Sequence, residues 1–388
     1  MIAPPADRAS TEKRVSLAEL AFVFLKLGTT AFGGPAAHIA MMQDEFVRKR
    51  HWITEAEFLD RLAAASLIPG PSSTEVAIFI GQSKRGWPGL LIGGCCFIIP
   101  AAVMVTVFAA VYVRYGSLPQ VAGILYGIKP AVIAIILQAL WSLSRSAVKG
   151  AWLAIIGLAA VALNAVGLAP LLVLAICAVA ASAEALFKMR RTVRLSAVPQ
   201  FTGSVLLGTA IGAVAVPVSL LRLFLSFLKI GAVVFGSGYV LLAFLRAEFI
   251  DHLHWLNQKQ LLDAVAVGQF TPGPVFTTAS FIGYLVAGIP GAVASTIAIF
   301  LPGFVLVALS GPLLPKLRQS TVASAILDGV VVGSLALMAV VAWQLGRAAI
   351  VDWTSLCIFL MSAALVMGFR VNSAWVIAGA ALSGWILR

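Results

Sequence analysis

Charge is scarce in this chain. Only 11% of its 388 residues are Asp, Glu, Lys or Arg, whereas a soluble domain carries about 25%. That deficit excludes a water-facing globular surface. Histidine is scarce too, with four copies, and the four cysteines (Cys95, Cys96, Cys177, Cys357) all sit in apolar runs without metal-ligand spacing to a histidine. They read as small apolar side chains, so neither a disulfide framework nor a metal site is expected. The chain has no Gly-x-x-x-x-Gly-Lys-Ser/Thr run, which excludes nucleotide hydrolysis as its power source. No catalytic serine, cysteine or metal constellation is present, so neither an enzyme nor a cofactor is expected. The N-terminus up to Arg14 is polar, and no apolar core with a small-residue cleavage site follows, so no cleaved signal peptide is expected.

What fills the chain is apolar: 61% of residues are hydrophobic and the mean hydropathy is +1.02. Leu90–Val113, Pro130–Leu143, Ala151–Ala185, Phe201–Leu221, Gly291–Leu314 and Val322–Val341 are almost free of charge. Roughly 20 apolar residues cross the hydrocarbon core. Leu, Ile, Val, Ala and Gly without strict alternation suit helices rather than a barrel. The prediction is an all-α polytopic membrane protein whose first partner is the lipid bilayer. The net charge of +12 does not imply nucleic acid, because no soluble basic domain exists to carry it. The basic residues cluster in short loops instead, at Arg48-Lys49-Arg50, Lys84-Arg85 and Lys188–Arg194, as in orienting loops of membrane proteins.

The chain also repeats itself. Phe24-Leu25-Lys26-Leu27-Gly28, Phe32-Gly33-Gly34, Glu45-Phe46, His51-Trp52 and Pro69-Gly70-Pro71 return 203 positions later. The copies are Phe227-Leu228-Lys229-Ile230-Gly231, Phe235-Gly236-Ser237, Glu248-Phe249, His254-Trp255 and Pro272-Gly273-Pro274. After a one-residue slip the echo continues, with Phe79-Ile80-Gly81 matching Phe281-Ile282-Gly283 and Pro100 matching Pro302. Two apolar copies, each interrupted by Pro and Gly, form the pattern of a transporter with internal repeats. The expected organisation is a cytoplasmic tail over 1–15, repeat A over 16–187, a basic loop and linker helix over 188–218, and repeat B over 219–388. If each repeat crosses an even number of times, one linker crossing turns the second copy over. Matching loops carry opposite charge bias: Arg48, Lys49 and Arg50 face Ile250 to Leu253, while Arg114 alone faces Lys316 and Arg318. Antiparallel copies show this under the positive-inside rule, so inverted repeats are expected, with the tail and the 188–194 loop cytoplasmic and Arg388 outside; parallel copies are the alternative.

Pro-Gly-Pro in an apolar helix removes amide donors and unwinds the chain. In lipid the freed groups must find protein, water or substrate, so broken or re-entrant helices are expected at Pro69-Gly70-Pro71 and Pro272-Gly273-Pro274, facing a cavity. Beyond each break a half-helix begins, whose free amides and positive dipole end suit an anion. Ser72, Ser73, Thr74, Thr277 and Thr278 offer hydroxyls there; a plain kink with those hydroxyls bonded back to the helix is the alternative. Gly33 with Gly34, and Gly236 with Ser237, expose further amides or allow close helix packing. Lys26 and Lys229, at matching depths in apolar helices, either attract an anion or snorkel to the headgroups. Glu45 and Glu248 are the matched acids; they pair with the lysines, carry coupling protons, or cap solvated helix ends. Asp60 and Asp263 match as well, and Glu75 stands in repeat A alone. These five acids are the coupling candidates.

Phe32-Gly33-Gly34-Pro35, together with Pro69-Gly70-Pro71 and its twin Pro272-Gly273-Pro274, resembles the chromate ion transporter (CHR) family in its long, two-domain form. The resemblance covers nearly the whole chain. It implies a multi-pass carrier of the bacterial inner membrane that exports chromate and confers resistance, driven by membrane potential or proton gradient, with sulfate as a related tetrahedral oxyanion. Ser237 in place of Gly34 and Val275 in place of Ser72 depart from a symmetric pattern and put equal use of the two halves in doubt. The residues alone reach only as far as an anion carrier. A sulfate importer or exchanger, an anion channel, a non-transporting scaffold and a homodimeric assembly all stay open at this point.

Overall fold

The computed structural model describes residues 15–116, 118–192, 219–235, 238, 240–310 and 320–387. The N-terminal tail, the linker 201–218, Gly236, Ser237, Lys316, Arg318 and Arg388 lie outside the described residues. Among the described residues the chain is helical, without strands.

Repeat A comprises α1 (Leu17–Thr30), α2 (Gly34–Gln43) ending in a π turn (Asp44–Lys49), α3 (Glu55–Ala65), α4 (Ser72–Tyr115), α5 (Pro119–Ala147), α6 (Ala151–Ala165) and α7 (Pro170–Thr192). Repeat B comprises α8 (Leu220–Val233), α9 (Leu241–Arg246) with its π turn (Ala247–His252), α10 (Gln258–Phe270), a 3-10 turn (Val275–Thr277), α11 (Thr278–Ser310), α12 (Thr321–Ala349), α13 (Trp353–Ala363) with a π turn (Ala364–Gly368), and α14 (Ser373–Leu387). Helix α7 runs to Thr192, so part of the basic stretch read as loop is helical. Among the described residues, five helices are long and apolar enough to cross a membrane: those over 72–115, 120–147, 170–187, 275–310 and 321–349. The molecule is a multi-pass membrane protein. Its outer face agrees, since Phe22, Val103, Val107, Leu158, Ile297 and Leu309 stand exposed on it, as a lipid-facing surface requires.

The repeats match in local detail. Thr54 and Asn257 cap α3 and α10 with reciprocal capping boxes to Glu57 and Gln260, which satisfies first-turn amides. The Thr54 amide holds the exposed Glu57 carboxyl below its usual range. His51 (φ 51°) and His254 (φ 54°) both take the left-handed conformation that stops the π turn. Both long helices fold back on themselves, α4 at Arg85-Gly86 and α11 at Ala287-Gly288, so each Pro-Gly-Pro break leads into a short arm of a tight hairpin.

Mated helices run antiparallel across the molecule. Lys149, just past α5, pairs with Asp328 near the start of α12 at 2.7 Å, while Ile133 of α5 lies by Gly346 near the end of α12. In α4 and α11, Gly94 lies against Phe304 and Leu90 clusters with Val307. The repeats also exchange partners. Gly127 of α5 lies against the carbonyl of Ala380 in α14, and its mate Gly329 of α12 lies against that of Cys177 in α7. Only a residue without Cβ permits such approach.

Gly127→Leu should therefore force α5 and α14 apart and cost about 1–3 kcal/mol, the usual range for overpacking. Gly379→Leu, where nothing lies within 4 Å, should stay within about 0.5 kcal/mol. Thermal unfolding in detergent, followed by size-exclusion profile, checks both.

Candidate functional site

The two breaks meet near the middle of the molecule and complete each other's backbone bonding. The Gly70 amide donates to the carbonyl of Val234 at 2.7 Å, and the Gly273 amide donates to that of Ala31 at 2.9 Å. Ala31 and Val234 are mates, each just past the first helix of its repeat. Both glycines have positive φ, 133° and 87°, a conformation open to glycine at little cost. Two amides freed by proline chemistry are thus satisfied across the repeats.

A hydrogen-bonded thread continues from the second break to the first. Ala31 O also accepts from His38 Nε2 at 3.0 Å, and His38 Nδ1 lies 3.3 Å from Ser73 Oγ. A carbonyl only accepts, so Nε2 carries the proton and Ser73 donates to Nδ1. Repeat B has Leu241 and Phe276 at these two places, so the thread exists once.

Beside the first break lies a cavity of about 540 Å3 whose wall includes Gly33, Pro35, Ser72, Ser142, Lys149 and Asp328. It contains the Ser72 hydroxyl at the start of a half-helix and the ammonium and carboxylate of the Lys149–Asp328 pair. Thr74 and Glu75 amides bond back to Pro71 O at 2.7 and 3.2 Å, which closes the first turn of the arm. Behind Ser72, Gly70 and Pro71 are buried, as is Glu75 at 0% exposure; both Glu75 oxygens lack a hydrogen-bond partner among the described residues. Glu75 sits beside Gly70 and Gly303.

The mated place in repeat B is closed. Val331 in the cavity wall has Lys129 as its mate, and Lys129 forms a 2.8 Å ion pair with fully buried Asp263. Tyr112 donates to the other Asp263 oxygen at 2.9 Å. Helix α10 packs on α5, whereas its mate α3 barely touches α12. Residues 271–280 are all buried, and Thr277 and Thr278 donate back to Pro274 O and Val275 O at 2.8 Å each. At the second break the hydroxyls therefore bond to the helix, the alternative to anion binding.

The matched lysines lie apart from the cavity. Lys26 reaches Glu45 at 3.6 Å, Lys229 is ion-paired with Glu248, and both lysines are half-exposed. Burial alone would raise the Glu45 carboxyl, but the hydrogen bond from Arg50 and the charges of Lys26, Arg50 and Lys49 outweigh it and hold it below its ordinary value. Ser226 Oγ donates to Glu248 at 2.8 Å. Asp60, the mate of Asp263, is exposed. Pro69 is half-buried, while Pro272 and Pro274 are buried. Lys129, Tyr112, His38, Lys149 and Asp328 were missed in the sequence because none has a matching residue in the other repeat.

Removing one member of a buried ion pair strands its partner, at a cost of about 3–5 kcal/mol. Asp263→Asn should lower the unfolding temperature sharply, and adding Lys129→Met should restore most of the loss. A double-mutant cycle in detergent reads the coupling.

Comparison with known proteins places these features. No solved structure matches the chain. It is 34% identical to the chromate transport protein of Cupriavidus metallidurans, over 98% of this chain and 96% of that protein. It is 32% identical to the probable chromate transport protein of Synechococcus elongatus, over 96% and 95%. A shorter relative, the uncharacterized transporter YwrA of Bacillus subtilis, is 28% identical over 34% of this chain and 73% of its own. The chromate transporter family matches twice, over residues 18–182 and 221–385. With two helical copies joined at paired breaks, this chain belongs to the chromate transporter family.

Proposed function

We propose that the protein is a secondary carrier that exports chromate across the bacterial inner membrane and so confers resistance. The observation that carries this reading is the cavity beside Pro69-Gly70-Pro71, whose wall joins Ser72 and Gly33 at broken-helix ends with Lys149, an ammonium that a dianion would have to share with Asp328. Hydroxyl and amide donors with one cation suit a tetrahedral dianion. Chromate as cargo follows from the family and from the relatives' names. The same donors fit sulfate, which is the second reading.

The substrate site comprises Gly33 and Ser72 of repeat A, backed by the buried Gly70 and Ser73, with the repeat B break as its structural counterpart. Lys26 and Lys229, each beside a glutamate, act at longer range. Repeats A (16–187) and B (219–388) insert in opposite orientations, a reading supported by the antiparallel run of α5 with α12 and by the loop charges. One cavity with a closed mate is the asymmetry of a carrier open on one side, and alternating access exchanges the two. An inside-negative potential drives a dianion outward, worth about 2.3 kcal/mol per charge per 100 mV. A proton gradient acts through Glu75, whose buried oxygens lie next to the site.

Proteoliposomes of known orientation, loaded with labelled chromate, test the reading. Flux should saturate, be competed by sulfate, and accelerate outward when the cytoplasmic face is made negative. Non-saturating flux would point to a channel, and no flux would remove the proposal. Ser72→Val, which copies the repeat B residue, removes a charge-assisted hydrogen bond worth about 1.5–3 kcal/mol, so KM should rise about tenfold or more. Glu75→Gln should abolish any dependence of flux on an imposed pH gradient while leaving the response to potential; an unchanged pH response would exclude Glu75 from coupling.

A further inference from the structure

A second cavity, also about 540 Å3, has no wall residue in common with the first and belongs to repeat B alone. Its wall is Arg246, Gln258, Trp343, Gln344, Arg347 and Ala348. Arg347 and Asp328 stand on one helix, α12. Nineteen residues of helix separate them, roughly 28 Å at 1.5 Å per residue. The second pocket therefore sits toward the opposite end of the molecule from Lys149 and Asp328.

Its chemistry differs from that of its mate. Arg246 corresponds to Gln43 and Gln258 to Glu55. In repeat A the Gln43 amide donates to the Glu55 carboxylate, and that polar pair satisfies itself. In repeat B the carboxylate is gone and a guanidinium has been gained. The wall holds two arginines and no acid. Arg246 Nη1 is buried without a hydrogen-bond partner among the described residues. Its Nε faces Asp251 at 3.6 Å, beyond hydrogen-bond length. Gln258 Nε2 donates to Gln344 O at 3.1 Å, which fixes the amide at the rim. Gln344 Oε1 is also buried and unpartnered, and turning that amide over presents its NH2 to the pocket. A guanidinium with a buried free N–H is costly unless an acceptor completes it.

We propose that this pocket binds a tetrahedral oxyanion, held by the guanidinium forks of Arg246 and Arg347 at the other end of α12 from Asp328. Guanidinium forks match the oxygens of sulfate-like dianions and of phosphate esters alike. The ligand is a free oxyanion or the phosphate of a lipid headgroup, since Trp343 at the rim is exposed on the outer face. The site does not depend on the transport reading. It requires only the charge, the cavity and the unpartnered N–H.

Phenylglyoxal labelling of arginine, mapped residue by residue by mass spectrometry, tests it. Arg145 is the internal control: it is the mate of Arg347, is exposed, and lies over Trp141 at 5.7 Å rather than in the pocket. In lipid-free dodecyl maltoside, sulfate should reduce Arg347 labelling severalfold relative to chloride at matched ionic strength, with Arg145 unchanged. In phosphatidylglycerol nanodiscs without sulfate, the same selective protection would identify a lipid phosphate as the occupant. Arg246→Gln, which restores the repeat A residue, should abolish protection of Arg347. Arg246→Lys, which keeps the charge and loses the fork, should retain part of it and serves if the first variant does not fold. Arg347 labelled equally in all three conditions, or Arg145 protected to the same degree, overturns the proposal. Loss of chromate flux with protection intact would count against the carrier reading alone.

Discussion

The arrangement depends on two backbone hydrogen bonds, Gly70 N–H to Val234 O and Gly273 N–H to Ala31 O. A proline-broken helix inside an apolar protein cannot leave its amides to water. Each break here is completed by the other repeat, at the point where the first helix of that repeat unwinds. The two discontinuities are therefore held together rather than scattered, and the donors left over collect at one place. The first cavity lies against that place because α4 begins there, immediately after its break.

Symmetry explains the scaffold and departures from symmetry explain the site. Mated glycines, capping boxes, left-handed histidines and hairpin turns recur in both copies. Apart from the mated Thr74 and Thr277, the polar groups near the breaks do not recur. Ser72, Ser73, Glu75 and His38 face Val275, Phe276, Thr278 and Leu241 at the mated positions. On the other side Lys129 and Asp263 stand at the mates of Val331 and exposed Asp60. A buried ion pair is a weak source of stability, since desolvation offsets most of its attraction. Its presence beside the second break, with Tyr112 completing the carboxylate, confines the polar cost there to one contact.

Much of this was legible in the sequence. Low charge and long apolar runs give the helical membrane class, and the echo between copies gives the two repeats, the breaks and the caps. The pairing of Lys26 with Glu45 and of Lys229 with Glu248 was one of the stated alternatives. What the echo conceals is whatever occurs once. Lys129 stands at the edge of an apolar run and was passed over because its mate is valine. Arg246 was invisible for the same reason, since nothing in a local reading says that a guanidinium has replaced a glutamine. Thr277 and Thr278 show the converse limit: a hydroxyl after a break looks available until packing decides whether it turns outward or back to its own helix.

The exchange of helices between the repeats has a consequence for ancestry. Gly127 accepts α14 and Gly329 accepts α7, so each copy supplies a slot that only its sibling's terminal rod fills. A polypeptide bearing one copy would expose an empty groove and a stranded amide. It would need a second molecule, turned end over end, to cover both. Joining both copies in one chain therefore replaces a diffusional encounter with a covalent one, and leaves each copy free to lack the polar side chains that the other carries.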